Sequence, residues 1–152
     1  MPKISGGLLM YRVKDGALQV LLVHPGGPFF QNKHDDVWSI PKGEPCPGEE
    51  LFDAAQREFT EETGFKASPP YLELSPITQK GGKIVHAWAF AGDCDPTKLR
   101  SNTFRLEWPP RSGREQEFPE IDRAEWFGST EAKRKIKAAQ IPMLEELCRL
   151  LK

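Results

Sequence analysis

The chain has 152 residues, with 21 basic side chains against 22 acidic ones and a formal net charge of -1. That length suits one domain able to bury about 70% of the surface its unfolded chain exposes, so residues 1–152 are read as a single domain. The balanced charge argues against a broad nucleic-acid surface, and no stable nucleic-acid partner is expected. Cys46, Cys94 and Cys148 are far apart and form no C-x-x-C pair. They suggest neither a disulfide framework nor a zinc site, and a reduced, cytoplasmic setting is the expectation. There is no run of about 18 apolar residues and no charged-then-apolar leader, so neither a membrane span nor export is expected.

Residues 3–13 and 17–24 are apolar, partly β-branched runs around Lys14-Asp15-Gly16, the pattern of a β-hairpin. Gly6 and Gly7 mark either a bulge or a close approach of backbone to ligand. The following stretch, HPGGPFFQNKHDD at 24–36, is a loop long enough to be functional. It offers Phe29 and Phe30 for base stacking and Lys33 and His34 for phosphate, against the plainer alternative of an ordinary surface loop. Residues 37–40 read as a short strand that delivers the chain to Pro41-Lys42-Gly43. Lys42 is a candidate phosphate contact. Trp38 is a candidate wall of a nucleotide pocket, although a core position is the commoner fate of tryptophan.

Gly43 to Phe65, GEPCPGEELFDAAQREFTEETGF, holds seven carboxylates in 23 residues. Leu51, Ala55 and Phe59 recur every four positions, the apolar face of an amphipathic helix. Pro45 and Pro47 stiffen the loop before it, Glu49 and Glu50 are placed in its first turn, and Gly64 ends it. Glu58, Glu61 and Glu62 stand at i, i+3 and i+4, which stacks three like charges on one face. They repel by a few tenths of a kcal/mol per pair unless a cation intervenes, and a hard ion such as Mg²⁺ prefers such oxygens. The competing reading is a well-capped, solvated acidic helix.

This stretch resembles the Nudix box, G-x5-E-x7-R-E-U-x-E-E-x-G-U. Gly43, Glu49, Arg57, Glu58, Glu61, Glu62 and Gly64 fill all seven fixed positions, and Phe59 and Phe65 replace the aliphatic residues at the two U positions. Such a match arises by chance on the order of once in a million chains this short. WSIPKGE before the box and FPEIDRAEWF near the end resemble a bacterial branch described only as predicted nucleoside triphosphate pyrophosphohydrolases. The resemblance implies an α/β fold, the Nudix α/β/α sandwich with a mixed sheet. It also implies Mg²⁺ or Mn²⁺ held by Glu58, Glu61, Glu62 and the Gly43 carbonyl, with Arg57 and Glu49 pairing to tie the loop to its helix.

Beyond the box, Tyr71 to Gln79 reads as a strand interrupted by Pro76, and Ile84 to Ala91 as a sheet strand under the box helix. Its alternation puts Ile84, His86, Trp88 and Phe90 on one face. His86 is a candidate substrate contact and Trp88 a candidate base stacker, against a hydrogen-bonded core histidine. Residues 92–120 read as a long loop of lid or binding type, with Arg100, Arg105, Arg111 and Arg114 as phosphate partners by virtue of the bidentate guanidinium. Ala124 to Phe127 reads as the last strand. A helix begins near Ser129 or Thr130, and a final helix near Pro142 carries Met143, Leu144, Leu147, Leu150 and Leu151 as its apolar face.

The implied reaction is attack of a metal-activated water on a diphosphate, X-P-O-P-Y, in a small-molecule nucleotide. The general base is sought among Glu61, Glu117 and Glu120, in that order. Neither Gln79, 15 positions after Gly64, nor the absence of tyrosine after Tyr71 carries the usual marks of ADP-ribose or diadenosine polyphosphate enzymes. The arginines favour more than two phosphates, hence nucleoside triphosphates or dinucleoside polyphosphates over ADP-ribose or nucleotide sugars. Rival readings are a nucleotide-binding module without turnover, which the intact box disfavours, and a nucleic-acid cap remover, which the balanced charge disfavours.

Overall fold

Asp15 and Gly16, both at positive φ (53° and 78°), close the turn between β1 (Ile4–Lys14) and β2 (Ala17–Pro25). A two-residue connection of this kind matches the twist of the strands it joins, and it sets Lys14 opposite Ala17 and Tyr11 opposite Val20. The structure is a computed structural model and describes residues 3–152. The remaining strands are β3 (Lys42–Gly43), β4 (Tyr71–Glu73), β5 (Ile77–Thr78), β6 (Ile84–Ala91), β7 (Thr103–Glu107), β8 (Glu115–Pro119) and β9 (Ile121–Gly128). The helices are α1 (Leu51–Thr63), α2 (Ser129–Lys135) and α3 (Ile141–Leu150).

The main sheet runs β4-β6-β1-β2-β9, with β3 added to β1 and β5 to β6. Only β1 and β6 are parallel; the other pairs are antiparallel. Because successive side chains alternate between faces, Leu8 and Met10 of β1 meet Ala55 and Phe59 of α1. Leu9 faces the other way, toward Ala132 of α2 and Met143, Leu144 and Leu147 of α3. Both faces of the sheet are thus covered, which makes the expected α/β/α sandwich with a mixed sheet. Phe59 is fully buried, with its ring 5.4 Å from that of Phe90, and burial of such a side chain stabilises by about 1.5–3 kcal/mol.

Several expectations are corrected. Residues 92–120 are not one long loop. They hold a short 3-10 turn at Pro96–Lys98 and the β7–β8 hairpin, a separate two-stranded ribbon that pairs Phe104 with Phe118 and Arg105 with Glu117. Residues 37–40 make isolated bridges rather than a strand, Ser39 to Val23 and Trp38 to Ile136. Gly6 and Gly7 each stand in close approach to protein backbone. A Cβ at Gly6 would lie 2.6 Å from the Leu51 carbonyl oxygen, and one at Gly7 would lie 2.8 Å from that of Pro41. Glu50 is the extended residue before α1, so Glu49 and Glu50 lie outside its first turn, whose acid is Asp53. Leu150 and Leu151 are exposed, because α3 has turned away from the core by its last residues.

Candidate active site

Arg57 is the fastener of the site. Its Nε donates to Glu49 Oε2 (3.0 Å) and its Nη2 to Glu49 Oε1 (2.9 Å) and to the Glu44 carbonyl (3.1 Å). Nη1 donates to Glu58 Oε1 (2.9 Å) and to both oxygens of Glu61 (2.8 and 3.1 Å). Glu49 in turn accepts the Cys46 N–H (2.9 Å), so the loop is closed on itself and on α1 through one planar guanidinium. The Arg57 hydrogen bonds, followed by the Cys46 N–H, hold the Glu49 carboxyl down to about 2. The carboxylates of Glu49 and Glu61 raise Arg57 above the ordinary arginine value.

One turn further along α1, Glu62 is half-buried and sits against Glu58. Burial, then repulsion by the Glu58 carboxylate and a hydrogen bond with it, push the Glu62 carboxyl up to about 9. Two half-buried acids sharing a proton form a place where a cation can replace that proton. Gly43 is packed against the same carboxylate: a Cβ there would collide with the Glu58 carboxyl group. Glu58, Glu62 and the Gly43 backbone therefore form one cradle of oxygen donors. Among the described residues, no three acid, imidazole or thiol side chains already stand as a metal-holding group. Arg57 Nη1 holds both oxygens of Glu61 as well as Glu58 Oε1, so Glu61 adjoins the pair with its oxygens already engaged. Mg²⁺ keeps several waters and commonly takes only one or two carboxylates, so the residues present fit such an ion, with Glu61 in the outer part.

A cavity of about 150 Å³ opens beside this pair, lined by Glu62, Glu120, Lys42 and Lys137 with Ser39 and Ile121. Glu120 occupies the junction of β8 and β9, where its N–H donates to the Asn102 carbonyl (2.9 Å) and its carbonyl accepts the Gly26 N–H (2.8 Å). Burial, then the Glu58 charge, raises its carboxyl. Burial first, then neighbouring Lys137, lowers Lys42, and burial, then Lys83, lowers Lys137. Of the three base candidates, Glu120 alone lines this cavity. Glu61 is engaged by Arg57, and Glu117 is exposed on β8 opposite Arg105.

The chain matches the NUDIX domain family over residues 4–147. It belongs to that family. The fold of this Nudix protein is shared by C. elegans Ap4A hydrolase in a binary complex, 22% identical over 97% of each chain with a TM-score of 0.69. The NUDIX domain of Shewanella oneidensis NrtR, solved with ADP ribose, is 15% identical, with 100% of this chain and 90% of that one covered and a TM-score of 0.67. A mutT/nudix family protein from Listeria innocua is 18% identical over 99% of this chain and 95% of that one, with a TM-score of 0.63. By family the protein is a pyrophosphohydrolase.

Other sequence candidates fall elsewhere in this Nudix fold. Trp38 is a core residue: its ring lies 5.1 Å from His24 and 5.0 Å from Phe127, with only 2% of it exposed. Trp88 packs on Phe52 (4.9 Å) rather than waiting for a base. His86 is half-buried on β6 opposite Gly6, which also pairs with Gly43, so it stands two strand spacings, about 10 Å, from the cradle. Arg111 and Arg114 are exposed at the tip of the β7–β8 hairpin. The five extended residues of β8 separate Arg114 from Glu120, six steps that span on the order of 20 Å. Phe29 lies against Trp108 of that hairpin (5.3 Å). Lys137 is the site residue the sequence reading missed. Its partners come from the far end of the chain, and no local spacing signals it.

Proposed function

We propose that the protein is a metal-dependent hydrolase of a nucleoside diphosphate linked to a further group, acting on nucleoside triphosphates or dinucleoside polyphosphates in preference to ADP-ribose or nucleotide sugars. The observation that carries this reading is the half-buried Glu58–Glu62 pair beside a cavity whose lining also holds Lys42 and Lys137. Acids and ammonium groups lining one cavity suit a substrate that brings phosphate oxygens and cations together. The fold likeness to C. elegans Ap4A hydrolase supports the polyphosphate choice. ADP-ribose is the runner-up, supported by the likeness to the NrtR NUDIX domain.

A divalent ion such as Mg²⁺ or Mn²⁺ at Glu58, Glu62 and the Gly43 carbonyl would activate water and offset charge on the phosphates. The chain's own contributions follow from its geometry. Arg57 fixes the loop that carries Gly43 and holds Glu58 and Glu61 in place. Glu120, raised by its surroundings and facing the cavity, is the group suited to take the proton of the attacking water. Lys42, in the lining of the same cavity, meets phosphate oxygens.

The test is a panel of nucleoside triphosphates, dinucleoside polyphosphates, ADP-ribose and nucleotide sugars, assayed with Mg²⁺ and with Mn²⁺ and with products identified by mass. The highest kcat/KM is expected for a substrate with three or more phosphates. ADP-ribose at the top would overturn the substrate choice, and tight binding without turnover of any compound would overturn the hydrolase reading.

A further inference from the structure

Lys137 belongs to two cavities. One is the small cavity of Glu62 and Lys42; the other, about 580 Å³, is lined by Lys80, Lys83 and Lys137 against a single acid, Asp36. The larger volume lies within the range of small-molecule sites. Among the described residues, none of Lys42, Lys83 and Lys137 joins an ion pair. Three unpaired ammonium groups in a row repel one another, and a polyanion relieves the repulsion.

The three lysines come from three segments, and one buried side chain joins them. Gln140 is fully buried. Its Oε1 accepts the Ile40 N–H (3.1 Å), two residues before Lys42. Its Nε2 donates to Ser39 Oγ (2.9 Å) and to Gln79 Oε1 (2.8 Å). The Gln79 N–H donates to the Lys83 carbonyl (2.6 Å), the Gln140 N–H to the Lys137 carbonyl (2.9 Å), and the Lys137 N–H to the Trp38 carbonyl (2.8 Å). Every segment that carries one of the lysines is therefore tied to Gln140 or to a residue it holds. A buried amide with all its bonds made is costly to disturb.

We propose that Lys42, Lys83 and Lys137 form a subsite for a phosphate chain running from the Glu58–Glu62 pair into the larger cavity, and that Gln140 is the positioning residue that assembles it. This rests on the hydrolase reading above and sharpens it: the subsite takes the phosphoryl groups beyond the one attacked, so the substrate class is a nucleotide with three or more phosphates.

The experiment titrates sodium tripolyphosphate, in EDTA, into the full chain and into Lys83→Gln, Lys137→Gln, Lys137→Arg and Gln140→Met, with a thermal melt of each. Lys83→Gln and Lys137→Gln should weaken tripolyphosphate binding about tenfold, and Lys137→Arg should keep most of it. In turnover, KM for a nucleoside tetraphosphate should rise about tenfold more than KM for a two-phosphate substrate in Lys137→Gln, and in the same direction in Gln140→Met. Wild-type binding by both lysine variants, or equal rises in KM for both substrates, would overturn the subsite. Should Gln140→Met fail to fold, Gln79→Ala removes one of its bonds and should show a smaller shift of the same ratio; an unmoved ratio there would overturn the positioning role. Tripolyphosphate binding that depends on these lysines, with no turnover of any diphosphate compound, would uphold the subsite and sink the hydrolase reading.

Discussion

The loop and helix around Arg57 and the β7–β8 hairpin are both surface regions rich in charge, yet they use their charges in opposite ways. At Arg57 one guanidinium serves Glu49, Glu58 and Glu61 at 2.8–3.1 Å, partly shielded from water, while the opposite face of α1 is locked by Ala55 and Phe59. In the hairpin the ion pair is Arg105 with Glu115 at 3.4 Å, both side chains more than half exposed. Such a pair contributes about 0–1 kcal/mol and is screened by salt. The ribbon is held instead at its base, where the Asn102 N–H donates to the Glu61 carbonyl (2.8 Å) and the Arg100 N–H to that of Thr63 (2.9 Å). Charge that is partly shielded and shared fixes geometry to which chemistry can be attached; charge left at a hairpin tip does not.

The largest effect expected from breaking the first region is at Glu62. Glu62→Gln should lower kcat at saturating metal at least about a hundredfold, because the charge that meets the cation is gone. The fold should persist, since an amide can still hydrogen-bond Glu58. Near-normal turnover with a full metal-induced rise in Tm would show that Glu62 holds no ion. Arg57→Ala comes next. It strips the partners from three carboxylates and frees the loop that presents Gly43, so both activity and stability should fall, with kcat/KM down about tenfold or more. The melting temperature should drop by several degrees, at roughly 2–4 °C per kcal/mol for a chain of this size. An unchanged melt together with unchanged kinetics would remove its positioning role.

A smaller effect distinguishes the shared proton from the shared guanidinium. Burial and the neighbouring Glu58 carboxylate push the Glu62 carboxyl from its ordinary 4.5 in the unfolded chain up to about 9 in the folded one. Between those values the folded state binds the extra proton, so stability falls as pH rises. In EDTA, Tm should therefore decline from the lower to the upper of these values, and Glu62→Gln should flatten the decline. Identical slopes in both proteins would show that the folded state does not protect that proton. Glu49 has the opposite sign. Its carboxyl is held at about 2, so its contribution is present above 4.5 and is lost as pH falls toward 2.

The contrast between the regions also explains what could be read from the chain. Helix α1, the Asp15-Gly16 turn and α3 are set by local spacing, so periodicity and turn chemistry exposed them. The hairpin escaped because TFRLE and EQEFP alternate with few apolar residues, and Phe104 and Phe118 declare themselves only once paired. Lys137 and Gln140 escaped for a stronger reason: Gln140 meets Ile40 across 100 positions, a contact with no local signature. Trp38 left two readings open, a pocket wall and the commoner core position, and only its packing on His24 and Phe127 from other strands decides for the core.

The smallest expected effect lies at the hairpin tip, and it tests the comparison from the other side. Arg111 and Arg114 carry the charge that sequence reasoning assigned to substrate. Arg111 has its N–H bonded to Glu107 Oε1 (3.0 Å), and the Arg114 carbonyl accepts the Trp108 N–H (2.9 Å), so the backbone of both serves the turn. Their side chains are exposed, and the on-the-order-of-20 Å gap to Glu120 exceeds the roughly 8 Å screening length at physiological salt. The double variant Arg111→Ala/Arg114→Ala should therefore change KM for a nucleoside triphosphate by less than about twofold at physiological ionic strength, with a somewhat larger change at low salt, where screening weakens. A tenfold rise in KM that persists at physiological salt would mean that the ribbon bends over the cavity when substrate binds, and would return these two arginines to the site.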